Sequence, residues 1–193
     1  MILNLDKCFC RKSAVVGYIK TTRNTLNQTF FDNAKRSKDY DREDIVLYNP
    51  KKGMEFTQKI ISKAKQTGIQ AKYIPLVNMT PDQIVELMLR AKVYIDFGNF
   101  PGPERIPREA VLLGCNIITS RNGSANNDID VPIPDTLKYK DIEKNIPMIL
   151  ECIQDMLLHY DKYYMYYENY RIKVLEQKIL LTENSKALLK KLS

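Results

Sequence analysis

Three short stretches of this chain carry cations, carboxylates and glycines at close spacing: residues 49–53 (NPKKG), 98–106 (GNFPGPERI) and 120–128 (SRNGSANND), with Arg108 and Glu109 just beyond the second. Lys51, Lys52, Arg105, Arg108 and Arg121 supply positive charge, and Glu104 and Glu109 supply carboxylates. Gly102, Gly123 and Ser124 supply backbone that another molecule can approach closely. Cations beside bare N–H groups suit a diphosphate. A carboxylate next to them suits the vicinal hydroxyls of a sugar, because its two oxygens can accept from both.

Each stretch follows an apolar run that reads as a strand, at 45–48 (IVLY), 93–97 (VYIDF) and 116–119 (NIIT). Between the last two runs lies a short helical pattern, with Pro107 suited to its first turn and Gly114 to its C-terminal cap. Strand, loop, helix and strand in about thirty residues form a right-handed βαβ crossover. Similar units precede it. Phe56, Ile60, Ile61 and Ala64 recur at helical spacing over 54–65 and stop at Gly68, and a strand is predicted at 71–76. Thr80, Pro81 and Gln83 then form a capping box for a helix that buries Ile84, Leu87, Met88 and Ala91.

A weak last strand is predicted at 136–139 and the remainder is helical. Ile142, Ile146, Ile149, Ile153 and Met156 recur every three or four residues, Pro147 opens or kinks their helix, and 181–192 reads as a last short helix. Residues 14–19 suggest a further strand, Leu26, Phe30, Phe31 and Ala34 share a helical face, and 35–43 (KRSKDYDRE) reads as a polar linker. The class is therefore α/β, with a Rossmann-like, mainly parallel sheet flanked by helices and a C-terminal helical extension. Carboxyl ends of parallel strands point one way, so the three loops meet on one rim, where helix N-termini favour an anion.

A chain of 193 residues suits one well-buried domain with an appendage. Residues 1–43 read as an N-terminal extension, 44–140 as the Rossmann-like core and 141–193 as helices packing on it. At 44% hydrophobic and 27% charged, the composition is that of a soluble globular protein. No apolar run has the length of a membrane span, and charges at Asp6, Lys7, Arg11 and Lys12 break any signal-peptide core, so a cytoplasmic location is expected. The net charge of +7 sits at the ends, with +4 over 1–43 and +3 over 178–193. It leaves open a peripheral association with the inner face of a membrane. Cys8 and Cys10 form one CxC pair and Cys115 and Cys152 stand apart, with a single histidine, His159, so no metal site is expected. The tyrosines of 159–171 suit helix packing, because a stacking platform for nucleic acid would interleave them with lysines, and no nucleic-acid partner is expected.

The segment 103–120, PERIPREAVLLGCNIITS, followed by RNGS, resembles the donor-binding motif of GT-B fold glycosyltransferases, particularly bacterial surface-polysaccharide enzymes. YNPKKG at 48–53 is similar to the first-strand loop of the same C-terminal domain, and the resemblance covers roughly 44–160. It implies that Glu109 contacts the nucleotide ribose, that Lys52 contacts the diphosphate, and that Gly123 and Ser124 form the second loop. At the family's spacing the acid expected to meet the transferred sugar falls on Pro101, and Glu104 is the nearby acid. The family's first-loop arginine has no counterpart, and Arg105 or Arg108 stands in its place. With Gly102, these complete the donor-binding set.

The resemblance further implies a substrate that is a nucleotide-diphosphate sugar and no resident cofactor. Transfer to a glycan or lipid-linked acceptor would be metal-independent, and no Asp-x-Asp pair precedes the loop. The acceptor would be held by an N-terminal domain or partner chain, with residues 1–43 the remnant of such a domain plus its linker, and 44–140, with the helices of 141–193, the nucleotide-sugar-binding half. The competing reading is a non-catalytic Rossmann-like module that docks a partner through its C-terminal helices; an epimerase of the same fold is a third. Each site residue also has a structural role to offer. Glu109 could complement a helix dipole, Lys52 could be an exposed turn lysine, Arg105 and Arg108 could be surface charges, and Asp96 could close a local hydrogen bond.

Overall fold

The structure, a computed structural model, describes residues 26–102 and 104–192, with side chains described through residue 180 and at 182 and 183. The strand expected at 14–19 and the Cys8–Cys10 pair lie outside the described residues. Five strands, β1 (Glu43–Tyr48), β2 (Lys72–Pro75), β3 (Ala91–Asp96), β4 (Asn116–Ser120) and β5 (Lys138–Tyr139), form one sheet in the order β2-β1-β3-β4-β5. Every pairing is parallel. The α/β class with a parallel sheet flanked by helices is as the alternation of patterns requires.

The order of the strands places the helices. Helix α1 (Gln28–Asn33) precedes β1, α2 (Met54–Gln66) joins β1 to β2, α3 (Pro81–Arg90) joins β2 to β3 and α4 (Arg105–Leu112) joins β3 to β4. The step from β1 to β2 runs one way along the sheet and the next two run the other, so right-handed crossovers put α2 on one face and α3 and α4 on the opposite one. Helix α5 (Ile146–Leu158) packs beside α2, and α1 beside α3 and α4. Both faces of the sheet are thus covered, which is why all of β4 and the stretch from Val93 to Asp96 are buried and read as apolar runs without alternation.

The local signals act where expected. Thr80 Oγ accepts from the Gln83 N–H while Gln83 Oε1 accepts from the Thr80 N–H, a complete capping box. Gly114 ends α4 in a Schellman arrangement, with the Cys115 N–H on Ala110 O and the Gly114 N–H on Val111 O. Pro147 lies in the first turn of α5 and so opens the helix. Residues 181–192 are no separate helix: they continue α7 (Glu168–Leu192), which is 25 residues long.

One boundary differs from expectation. The chain divides into two compact units, the first of them Leu26–Val174. Leu26 and Phe30 are buried in the same core as the sheet, so the core begins before residue 44. Residues 35–43 are not a free linker either. A short 3-10 helix (Ala34–Lys38) leads to Arg42, whose guanidinium donates to the carbonyls of Ser37 (2.9 Å), Met88 (2.9 Å), Ala91 (3.1 Å) and Leu113 (2.8 Å). It thereby satisfies carbonyls at the C-terminal ends of α3 and α4 that have no partner within their helices. Of the second unit, the described part is the helical stretch 175–192.

The tyrosine-rich stretch forms α6 (Tyr160–Tyr164), one 3-10 turn (Met165–Tyr167) and the start of α7. Its hydroxyls tie these helices to β4 and to the loops on either side of it. Tyr160 donates to Gly114 O (2.7 Å), Tyr167 to Ile117 O (2.7 Å) and Tyr170 to Asp130 O (3.2 Å), and Tyr167 and Tyr170 are buried. Packing is what these rings do. Among the described residues, no helix is long and apolar enough to cross a membrane.

Candidate functional site

The three loops come together at the carboxyl ends of β1, β3 and β4. The first two meet through their glycines. Gly53 and Gly98 both have positive φ (57° and 99°), and a Cβ on Gly98 would lie 2.7 Å from Gly53 N, so neither position has room for a side chain. The second and third meet through Phe100 and Gly102: the Ser124 N–H donates to Phe100 O (2.9 Å) and Ser124 Oγ donates to Gly102 O (2.6 Å). A Cβ on Gly123, whose φ is 61°, would collide with that same Phe100 carbonyl. Gly102 is different. A Cβ there meets nothing within 4 Å, so Gly102 contributes its carbonyl and not a close approach of backbone.

Lys52 lies at the middle of this junction and is no exposed turn lysine, since its side chain is 16% exposed. Its ammonium stands 3.3 Å from the centroid of the buried Phe100 ring, 3.4 Å from Asp96 Oδ1 and 3.6 Å from Glu104 Oε1. Among the described residues, neither Lys52 Nζ nor Asp96 Oδ1 has a hydrogen-bond partner. The other oxygen, Asp96 Oδ2, accepts from the Tyr94 hydroxyl at 2.8 Å, the local hydrogen bond that the sequence suggested. Burial raises the Asp96 carboxyl to about 7, against the opposing pull of Lys52 and Tyr94.

Glu104 is the N-cap residue of α4, its side chain making no capping bond. Arg105 and Glu109 pair one helical turn apart, with Nε 3.0 Å from Oε1; Arg105 is mostly exposed and Glu109 is 1% exposed. Neither Glu109 oxygen has a hydrogen-bond partner among the described residues, and burial pushes this carboxyl up to about 7 despite Arg105 and Arg108. Arg108 is buried, not a surface charge; its Nε donates to Glu104 O (3.1 Å), and burial draws its pKa down. Lys51 starts the turn with its N–H on Asn49 Oδ1 (3.0 Å). Arg121 turns toward β5, donating to Lys138 O (2.9 Å) and Asp135 O (2.7 Å).

Asp141 escaped sequence reasoning. It follows β5, on the same rim, and accepts from the Gly98 N–H (2.7 Å), Ser120 Oγ (2.7 Å) and Asn122 Nδ2 (3.2 Å). One carboxylate therefore ties the β3 loop to the β4 loop. Burial raises its pKa, opposed by these three donors and by Lys52. The rule that found the other loops, the carboxyl end of a parallel strand, would have found it too, had β5 been more than two residues long. Among the described residues, no group of three or more His, Cys, Asp or Glu side chains could hold a metal ion.

No family model matches the chain, and neither does any curated protein or solved structure.

Proposed function

We propose that this rim binds a nucleotide-diphosphate sugar and that the chain is the donor-binding half of a metal-independent glycosyltransferase of bacterial surface glycan synthesis. One observation carries the reading: Lys52, Glu104 and the Gly123–Ser124 turn gather where the strand order reverses, between β1 and β3. At that point of an open parallel sheet the connections leave to opposite faces, and it is where ligands bind. The resemblance of residues 44–160 to GT-B donor domains supports the same placement.

In this reading Lys52 receives the diphosphate. When the bond from the sugar's anomeric carbon to the diphosphate oxygen breaks, negative charge grows on the leaving phosphate, and a fixed ammonium beside it lowers the barrier. The N-terminus of α4 adds its dipole. Glu109 accepts from the ribose hydroxyls once Arg105, which is on the surface, swings aside. Glu104 and Asp96 are left to meet sugar hydroxyls. The acceptor and the closure that excludes water come from an N-terminal domain or partner chain.

Calorimetric titration of the whole chain with the diphosphates of uridine, guanosine, adenosine, cytidine and thymidine tests this. Binding is expected with at least one of them, weakened about 10- to 100-fold by Lys52→Ala, the loss of one or two charge-assisted contacts. Absence of heat with all five at about a millimolar, far above the Kd of a specific site, would leave the scaffold reading in its place.

A further inference from the structure

Resting on that reading, we infer that Asp96 is a proton-coupled gate on the diphosphate site: it holds Lys52 while the site is empty and takes up a proton when an anion draws Lys52 away. The geometry is that of a place-holder. Asp96 is 1% exposed at the last position of β3, and its Oδ1 faces the Lys52 ammonium at 3.4 Å without a hydrogen bond to it or to any other described residue. Glu104 flanks the same ammonium from the other loop at 3.6 Å. Lys52 is therefore already neutralised, loosely, by two carboxylates at contact distances that a diphosphate would improve on.

The groups that face this pair are few. Tyr94 donates to Asp96 from its own strand, Glu104 approaches Lys52 from the loop before α4, and Asp141 feels Lys52 from beyond β5. Apart from Lys52, none of these brings positive charge to Asp96. An incoming diphosphate adds negative charge and diverts the cation that Asp96 faces among the described residues, and a buried carboxylate so stripped binds a proton. Its starting pKa of about 7 puts this exchange near neutrality. Glu104, partly exposed, can instead turn to solvent.

The test is calorimetry with nucleotide sugars, UDP-glucose and GDP-mannose among them, whose diphosphate diesters do not titrate near neutrality. Each titration is run at pH 7.5 in PIPES and in Tris, buffers of low and high ionisation enthalpy. A rise of only one pKa unit on binding gives an uptake of about half a proton per site at this pH. The heats then differ between buffers, and affinity falls as pH rises from 7 to 8. Asp96→Asn keeps the acceptor for Tyr94 but removes this titration, and it should lower the proton uptake by about half a proton per site while binding persists, whatever Glu109 contributes in both proteins. Carbon-13 labelling of the aspartate carboxyls in the unaltered protein, read by NMR with and without the sugar nucleotide, follows the same proton should that variant fail to fold. Binding with no proton uptake, or uptake undiminished in Asp96→Asn, overturns the gate and leaves the donor-site reading standing. Absence of binding by every nucleotide sugar overturns both.

Discussion

Replacing Glu109 by Gln removes a charge that the fold holds at a cost. The carboxyl is almost wholly buried, its oxygens lack hydrogen-bond partners among the described residues, and its pKa moves from 4.5 to about 7. That gap corresponds to about 3 kcal/mol of stability at alkaline pH. The sign follows from proton counting. Between 4.5 and 7 the folded chain keeps a proton that the unfolded chain has lost, so stability declines as pH rises through this window and the full cost is present above it. Below 4.5 the group is neutral in both states and the cost vanishes.

Glu109→Gln, neutral throughout, is therefore expected to match the parent near pH 4 and to exceed it at pH 8. For a folded unit of this size the gain is about 6–12 °C in Tm. Asp96 has a raised pKa as well, but it titrates in both proteins, so the difference between their melting curves cancels it. The assay is thermal unfolding of both proteins from pH 4 to 8. A difference that stays flat over that range would refute the reasoning. On the proposed function the same variant, though more stable, binds nucleotide sugars more weakly, as a group kept for its ligand should.

Tyr167→Phe removes the buried hydroxyl from Ile117 O and is expected to cost about 1–3 kcal/mol by chemical denaturation, because the carbonyl left behind has no water. Gly123→Ala forces a methyl into Phe100 O at a positive φ, and should both destabilise the chain by about 1–3 kcal/mol and loosen the 98–106 loop, as amide exchange at Ser124 would report. Arg42→Ala strips four carbonyls of their shared donor and is expected to cost at least about 3 kcal/mol, with α3 and α4 fraying first at their C-terminal ends.

Much of the architecture was legible because it rests on local chemistry. The Thr80–Gln83 box, the Gly114 cap and the largely apolar runs at 93–97 and 116–119 are set by neighbours within a few residues, and sequence spacing reports them directly. The convergence of loops 49–53, 98–106 and 120–128 was also within reach, since the direction of parallel strands is a topological consequence of the βαβ pattern. The surroundings of the charged groups were not. The sequence offers Lys52 as a diphosphate contact or an exposed turn lysine and Asp96 as a strand acid, and only the Gly53–Gly98 contact and the Phe100 ring show the two side by side.

The same holds for Arg42 and Asp141. Arg42 finds carbonyls 46 to 71 positions along the chain, and Asp141 joins loops that begin 21 and 43 positions before it. By itself, then, the sequence determined which elements form and toward which rim their loops point, because hydrogen bonding within a helix turn and the alternation of strand and helix patterns are local. Only the tertiary structure decided which carboxylates share Lys52, and which of them lose their solvent, because burial and charge pairing depend on distances that no spacing along the chain contains.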